Sequence, residues 1–96
     1  MIYEWDAGQA EANLNKHGVS FEEAATVFLD SLAMTFSDPD HSADERREIT
    51  IGHTIEQQLV FVSHCERDDR IRIISARLAT RPERRQYEEG IYKNAE

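Results

Sequence analysis

The side chains best able to do chemistry in this 96-residue chain fall in three short clusters. Lys16 and His17 stand together just before Gly18, Glu45 and Arg47 stand two apart, and Arg72 and Arg77 share the run RIRIISAR with Ser75 between them. Guanidinium groups present planar, paired donors and a charge that does not titrate away, which suits phosphate. A carboxylate beside a guanidinium can act as a base while the cation stabilises a phosphorane-like transition state. Imidazole exchanges protons near neutrality. Each cluster also has a purely structural explanation. Cations at a helix C-terminus are favoured by the helix dipole, Asp44 to Glu48 is a solvated charge run, and surface arginines commonly pair with carboxylates.

The net charge of −8 is unpromising for a protein that acts on a polyanion, but it is unevenly spread. Residues 1–45 carry ten acids and one base, whereas residues 46–96 carry ten bases and nine acids. Within the second half, Arg70 to Arg85 holds six arginines against Glu83 alone. Such a field can present a local phosphate-binding patch on an acidic molecule. The histidines have neither the HExxH arrangement nor a Cys/His cluster, so no metal or other cofactor is expected. There is no Gly-rich phosphate loop and no G-x-S-x-G elbow. Cys65 is the only cysteine, which excludes an internal disulfide and reads as a small buried apolar residue. With no long apolar run and no basic, apolar N-terminus, a cytoplasmic protein without a membrane role is expected.

The elements that must position these residues follow from caps and periodicity. Ile2 to Trp5 reads as a short strand. Asp6 caps a first helix that ends at Gly18, where a left-handed residue is favoured. Ser20 and Glu23 form a capping box for a second helix whose stripe is Phe21, Ala24, Ala25, Val27 and Phe28. Leu32 to Phe36 is a strand, Ser37 to Asp44 a loop, and Arg47 to Gly52, Gln58 to His64 and Arg70 to Arg77 are three strands joined by short polar gaps. Thr80 and Glu83 form a second capping box, with Pro82 tolerated in the first turn of a third helix that Gly90 weakens. The order β-α-α-β-β-β-β-α implies an α+β fold of two layers, an antiparallel sheet with helices on one face, in one domain over residues 1–96. Strict alternation in the last strand puts Arg70, Arg72, Ile74 and Ala76 on the open face and Ile71, Ile73, Ser75 and Arg77 on the other, so that Arg77 has to reach around the sheet edge.

Three stretches, EWDAGQAEANLNKHGVSFEEAATVF, ERREITIG and RIRIISARLATRPERRQYEEG, together resemble the BrnT toxin family over nearly the whole chain. The resemblance implies a RelE-like fold, a metal-independent and ribosome-independent endoribonuclease, growth arrest, and neutralisation by a BrnA-type antitoxin. It implies RNA as substrate and contact with operator DNA only through the antitoxin. It also singles out the KHG motif (Lys16, His17), the E-x-R motif (Glu45, Arg47) and the R-I-I-S-A-R motif (Arg72, Ser75, Arg77) as site positions. Where many relatives have an acid before the E-x-R arginine and an aromatic after it, this chain has Arg46 and Glu48. The competing readings are a catalytically inactive relative that binds nucleic acid through the same face, and a corepressor that acts in complex with its antitoxin.

Overall fold

The computed structural model describes residues 2–38 and 46–94, and the expected order of elements is what it holds: β1 (Ile2–Glu4), α1 (Ala7–His17), α2 (Phe21–Ala25), β2 (Met34–Ser37), β3 (Arg47–His53), β4 (Leu59–Arg67), β5 (Arg70–Leu78) and α3 (Arg81–Glu88). Short 3-10 turns follow α2 and α3, at Thr26–Leu29 and Ile91–Asn94. The five strands form one sheet in the order β1-β5-β4-β3-β2, and with the helices the fold is α+β. Strands β2 to β5 pair antiparallel in succession, as short connections favour. The first strand departs from that scheme, pairing parallel with β5, and it covers only Arg70 to Arg72. Beyond Arg72 this outer edge of β5 has no strand partner among the described residues.

The helix boundaries come from local chemistry. Asp6 accepts a hydrogen bond from Gln9 N at 2.9 Å to open α1, and Gly18, at φ 72°, closes it. Thr80 and Glu83 make a complete capping box at α3. At α2 the expected box is only half made. Ser20 Oγ accepts from Glu23 N at 3.0 Å, but the Glu23 carboxylate accepts instead from Thr54 Oγ1 at 2.9 Å, fastening the helix to the β3–β4 turn.

One face of the sheet carries the main core. Val19, Phe21, Ala24 and Val27 pack on Val60, Val62, Ile71, Ile73 and Ala76, all buried. Burying side chains of this size stabilises by about 1.5–3 kcal/mol each before conformational entropy is set against it. Tyr3 stacks on Phe28, and Trp5 meets Phe21 edge-on. Gly52 faces the same layer, where a Cβ would lie 2.8 Å from Ala33 Cβ and 2.9 Å from Val27 Cγ2. Cys65 is buried. The first two helices cover this face. Tyr87 of α3 and Tyr92 beyond it instead rest against His53, Phe36 and Phe61, which alternation places on the other face.

Candidate active site

Alternation in β5 fails at one place, and the failure builds the site. Ser63 pairs with Ser75 but His64 pairs with Ile73, so Ile74 is an extra residue, a β-bulge. Before it, Ile71 and Ile73 are buried; after it the buried residue is Ala76. The strict alternation expected from the sequence is therefore corrected beyond Ile73: Ser75 and Arg77 share the open face with Arg72, and Ala76 turns inward. Arg77 reaches the open face directly, not around an edge.

Past Arg72 the outer edge of β5 presents backbone groups that no described strand meets, and at Ala76 the Asn13 side chain meets them instead. Its side chain, in a residue only 7% exposed, accepts from Ala76 N at 3.1 Å and donates to Ala76 O at 2.8 Å and to Val19 O at 3.1 Å. An amide that both accepts from and donates to one residue imitates a neighbouring strand. It ties the last turns of α1 to β5, and His17, four residues on, is carried to the rim of the open face.

The result is a hollow of about 230 Å³ in which side chains from separate segments meet: His17 from α1, Arg47 and Ile49 from β3, Phe61 and Ser63 from β4, and Ser75 and Arg77 from β5, with buried Asp38 on its wall. The two serines are cross-strand partners, and Asp38 N donates to Arg47 O at 2.9 Å beside them.

Arg77 is held from two directions. Its Nη1 and Nη2 donate to the two carboxylate oxygens of Glu83 at 2.7 and 2.9 Å, and its guanidinium carbon lies 4.5 Å above the Phe61 ring. The hydrogen bond from Arg77 holds the Glu83 carboxyl far below the usual range, at about 2, and the same bond raises the pKa of Arg77. Glu83 is also the capping residue of α3, so one carboxylate fixes both the helix start and the arginine. The Nε–H and the second Nη2 hydrogen of Arg77 make no bond among the described residues, and these donors remain for an anion. Arg47 forms no ion pair among the described residues.

The predicted residues thus divide. The structure brings His17, Arg47 and Arg77 together, with Ser75 between the latter two. Lys16 is exposed at the end of α1 and does not line the hollow. Arg72 lies on the open face in the register row Arg47–Cys65–Arg72–Glu4, but its Nη1 points to Glu4 at 3.5 Å, alongside Arg70 at 3.1 Å. Bonding to Arg70 first and Arg72 second lowers the pKa of Glu4. Glu45 lies outside the described residues. Asn13, Ser63, Phe61 and Asp38 were not read from the sequence as site residues, and Glu83 was read only as a cap. The one signal for Asn13 was a polar residue on the inward stripe of α1, where Leu14 beside it is half exposed. Among the described residues no group of three or more His, Cys, Asp or Glu is placed to hold a metal ion, and no helix is long and apolar enough to cross a membrane.

A family model described as the ribonuclease toxin BrnT of type II toxin–antitoxin systems matches residues 5–83. No curated protein matches the chain. Among solved structures, the crystal structure of the Brucella abortus ribonuclease toxin BrnT is similar, with a TM-score of 0.67 and 22% sequence identity over 84% of this chain and 100% of that one. At that identity the likeness speaks for the fold.

Proposed function

The chain belongs to the BrnT family of ribonuclease toxins of type II toxin–antitoxin systems, and from that premise we propose that the hollow on its open sheet face is the RNA-cleaving site of a metal-independent, ribosome-independent endoribonuclease. In this reading residues 1–96 act as one cytoplasmic toxin domain that arrests growth until a BrnA-type antitoxin neutralises it, and operator DNA is met only through that antitoxin. The observation that carries the reading is the meeting of His17, Arg47 and Arg77 with Ser63 and Ser75 in one hollow.

The chemistry needs no outside nucleophile. The RNA 2′-hydroxyl gives its proton to a base and its oxygen attacks the adjacent phosphorus. The bond to the 5′-oxygen breaks, that oxygen takes up a proton, and the products are a 2′,3′-cyclic phosphate and a free 5′-hydroxyl. His17 is the base at the rim of the hollow, with Glu45 as the other candidate. Arg77 and Arg47 grip the phosphate and stabilise charge as it grows on the non-bridging oxygens, the larger catalytic term. The bidentate bond to Glu83 leaves Arg77 pre-oriented, so little ordering is left for the transition state. Lys16 and Arg72 flank the hollow as phosphate contacts for neighbouring nucleotides.

One observation favours a second reading, a catalytically inactive module that binds nucleic acid or serves as corepressor: Arg72 and Arg77 each already face a carboxylate. Incubating purified protein with single-stranded RNA in EDTA separates the two. The enzyme yields 2′,3′-cyclic and 5′-hydroxyl ends, and Arg77→Ala or His17→Ala abolishes them. Bound but intact RNA overturns the nuclease reading.

A further inference from the structure

Among the described residues the three most exposed large apolar side chains, Leu29 at 78%, Leu32 at 72% and Ile55 at 68%, surround one hollow of about 430 Å³. It lies where β3 turns into β4 and shares no residue with the arginine hollow. Two of the three stand on backbone that buried or half-buried polar side chains pin in place. Asp30 Oδ1 accepts from Leu32 N at 3.0 Å while Asp30 Oδ2 accepts from His53 N at 2.8 Å. Thr26 Oγ1 accepts from Ile55 N at 2.9 Å, and the bond from Thr54 to Glu23 anchors the same turn. Holding apolar side chains in water in a fixed geometry stabilises nothing within the monomer, and an exposed cluster of this kind marks an interaction site. A second hollow of about 200 Å³ continues it, sharing Leu32 and His53 and reaching Met34 and Tyr87, so the two form one groove.

Size and charge choose the occupant. The three side chains present on the order of 400 Å² of apolar surface, within the range of functional patches. A short segment with three or four anchors can cover a patch of that size, whereas a second copy, as acidic as the first, would bring like charge to Asp30 and Glu88. The carboxylates lining the groove are Asp30 and Glu88, beside the His53 imidazole, and among the described residues no lysine or arginine lines it. The segment is therefore apolar with basic flanks. An amphipathic helix offers such anchors along one face, at i, i+3/i+4 and i+7.

We infer that the Leu29–Leu32–Ile55 groove docks a short, basic amphipathic helix of the antitoxin, an anchor site separate from the RNA hollow. The inference rests on the chain's place in a toxin–antitoxin family and not on the cleavage mechanism. The test uses the whole chain and the purified antitoxin encoded beside it. Leu29→Glu and Ile55→Glu, together and singly, are compared with the milder Leu29→Ser and Ile55→Ser, with thermal melting to show that each variant is folded. Titration calorimetry is expected to show antitoxin affinity at least 100-fold weaker for the double Glu variant and at least 10-fold weaker for the double Ser variant, while RNA cleavage in the absence of antitoxin stays within twofold of wild type. Antitoxin affinity within threefold of wild type in a folded variant overturns the inference. So does a wild-type chain that sediments as a dimer and a double Glu variant that sediments as a monomer, because the patch then joins two copies. If the wild type cleaves no RNA, the nuclease reading fails on its own, and the affinity data still decide the groove.

Discussion

Replacing Asn13 by leucine, close to asparagine in size but without donors or acceptors, removes three hydrogen bonds at once: from Ala76 N, to Ala76 O and to Val19 O. Each neutral bond contributes about 1 kcal/mol net, and each group left buried and unpaired costs about 1–3 kcal/mol. Ala76 and Val19 are 1% and 0% exposed, so water does not take the place of the amide, and the expected loss is about 3–5 kcal/mol. A chain of this length has only about 5–14 kcal/mol to lose. Urea unfolding followed by far-UV circular dichroism should show the midpoint falling at unchanged slope, and hydrogen exchange at the Ala76 amide should speed up more than the global loss accounts for. Asn13→Asp keeps the acceptor for Ala76 N but loses both donors and sets a charge against two carbonyls, so it should be at least as destabilising. Because the same bonds bring the end of α1 to the hollow, RNA cleavage by either variant should fall further than its folded fraction. A stability loss under about 0.5 kcal/mol, with the Ala76 amide still protected, would refute the claim that this amide stands in for a missing strand.

Burial lowers the pKa of His64 to about 4, and its Nδ1 has no partner among the described residues while Nε2 meets Thr50 Oγ1 at 2.7 Å. The unfolded chain therefore takes up this proton first as the pH falls, so stability is full above about pH 6.5 and declines by about 3 kcal/mol on the way to pH 4. His64→Gln should flatten that slope in urea titrations; an unchanged slope would show that His64 is not its source. Gly52→Ala should cost about 1–3 kcal/mol by overpacking against Ala33 and Val27, measured as a lower melting temperature. Arg77→Ala should weaken binding of a non-cleavable single-stranded RNA and lower the slope of log K against log salt by about 0.7, the value for one phosphate contact, whereas no change in slope would take Arg77 off the phosphate.

The caps were the most legible feature of this chain. Asp6, Gly18, Ser20 and Thr80 end or begin helices for reasons confined to a few neighbouring residues, and the structure places all four where the sequence put them. Long-range pairing was less accessible. Nothing in Ile2 to Glu4 says that it will lie parallel to a strand some seventy positions away, because neither strand encodes its partner. The bulge at Ile74 did leave a trace, since the Ile73–Ile74 doublet breaks the alternation that RIRI establishes. A doublet reads equally as a buried strand, and only the register with Ser63 and His64 decides between them. Asn13 was hidden for a related reason. A polar residue on an apolar stripe announces a buried hydrogen bond without naming its acceptor, and here the acceptor is 63 positions away. The candidate site was legible as residue types in motifs; that His17, Arg47 and Arg77 meet while Arg72 turns to Glu4 came only from register.

An acidic chain with a proposed site for a polyanion poses a physical problem that these pairs address. Two arginines of the open face are met by carboxylates, Arg72 by Glu4 and Arg77 by Glu83, so the face carries less free charge than its guanidinium count suggests. Exposed pairs of this kind add little to stability. Their larger effect is on geometry: Glu83 fixes the plane of Arg77 over Phe61 and leaves two donors directed away from the pair. Attraction at a distance is weakened, since a neutralised pair and an overall charge of −8 repel or ignore a distant phosphate. Attraction at contact is kept, because the remaining N–H groups of Arg77, and Arg47, which has no ion pair among the described residues, act at hydrogen-bond range. In the proposed nuclease, discrimination therefore arises from how well a strand seats its phosphate in the hollow, and raising net positive charge elsewhere on the surface should speed RNA encounter without raising the rate of the bound complex.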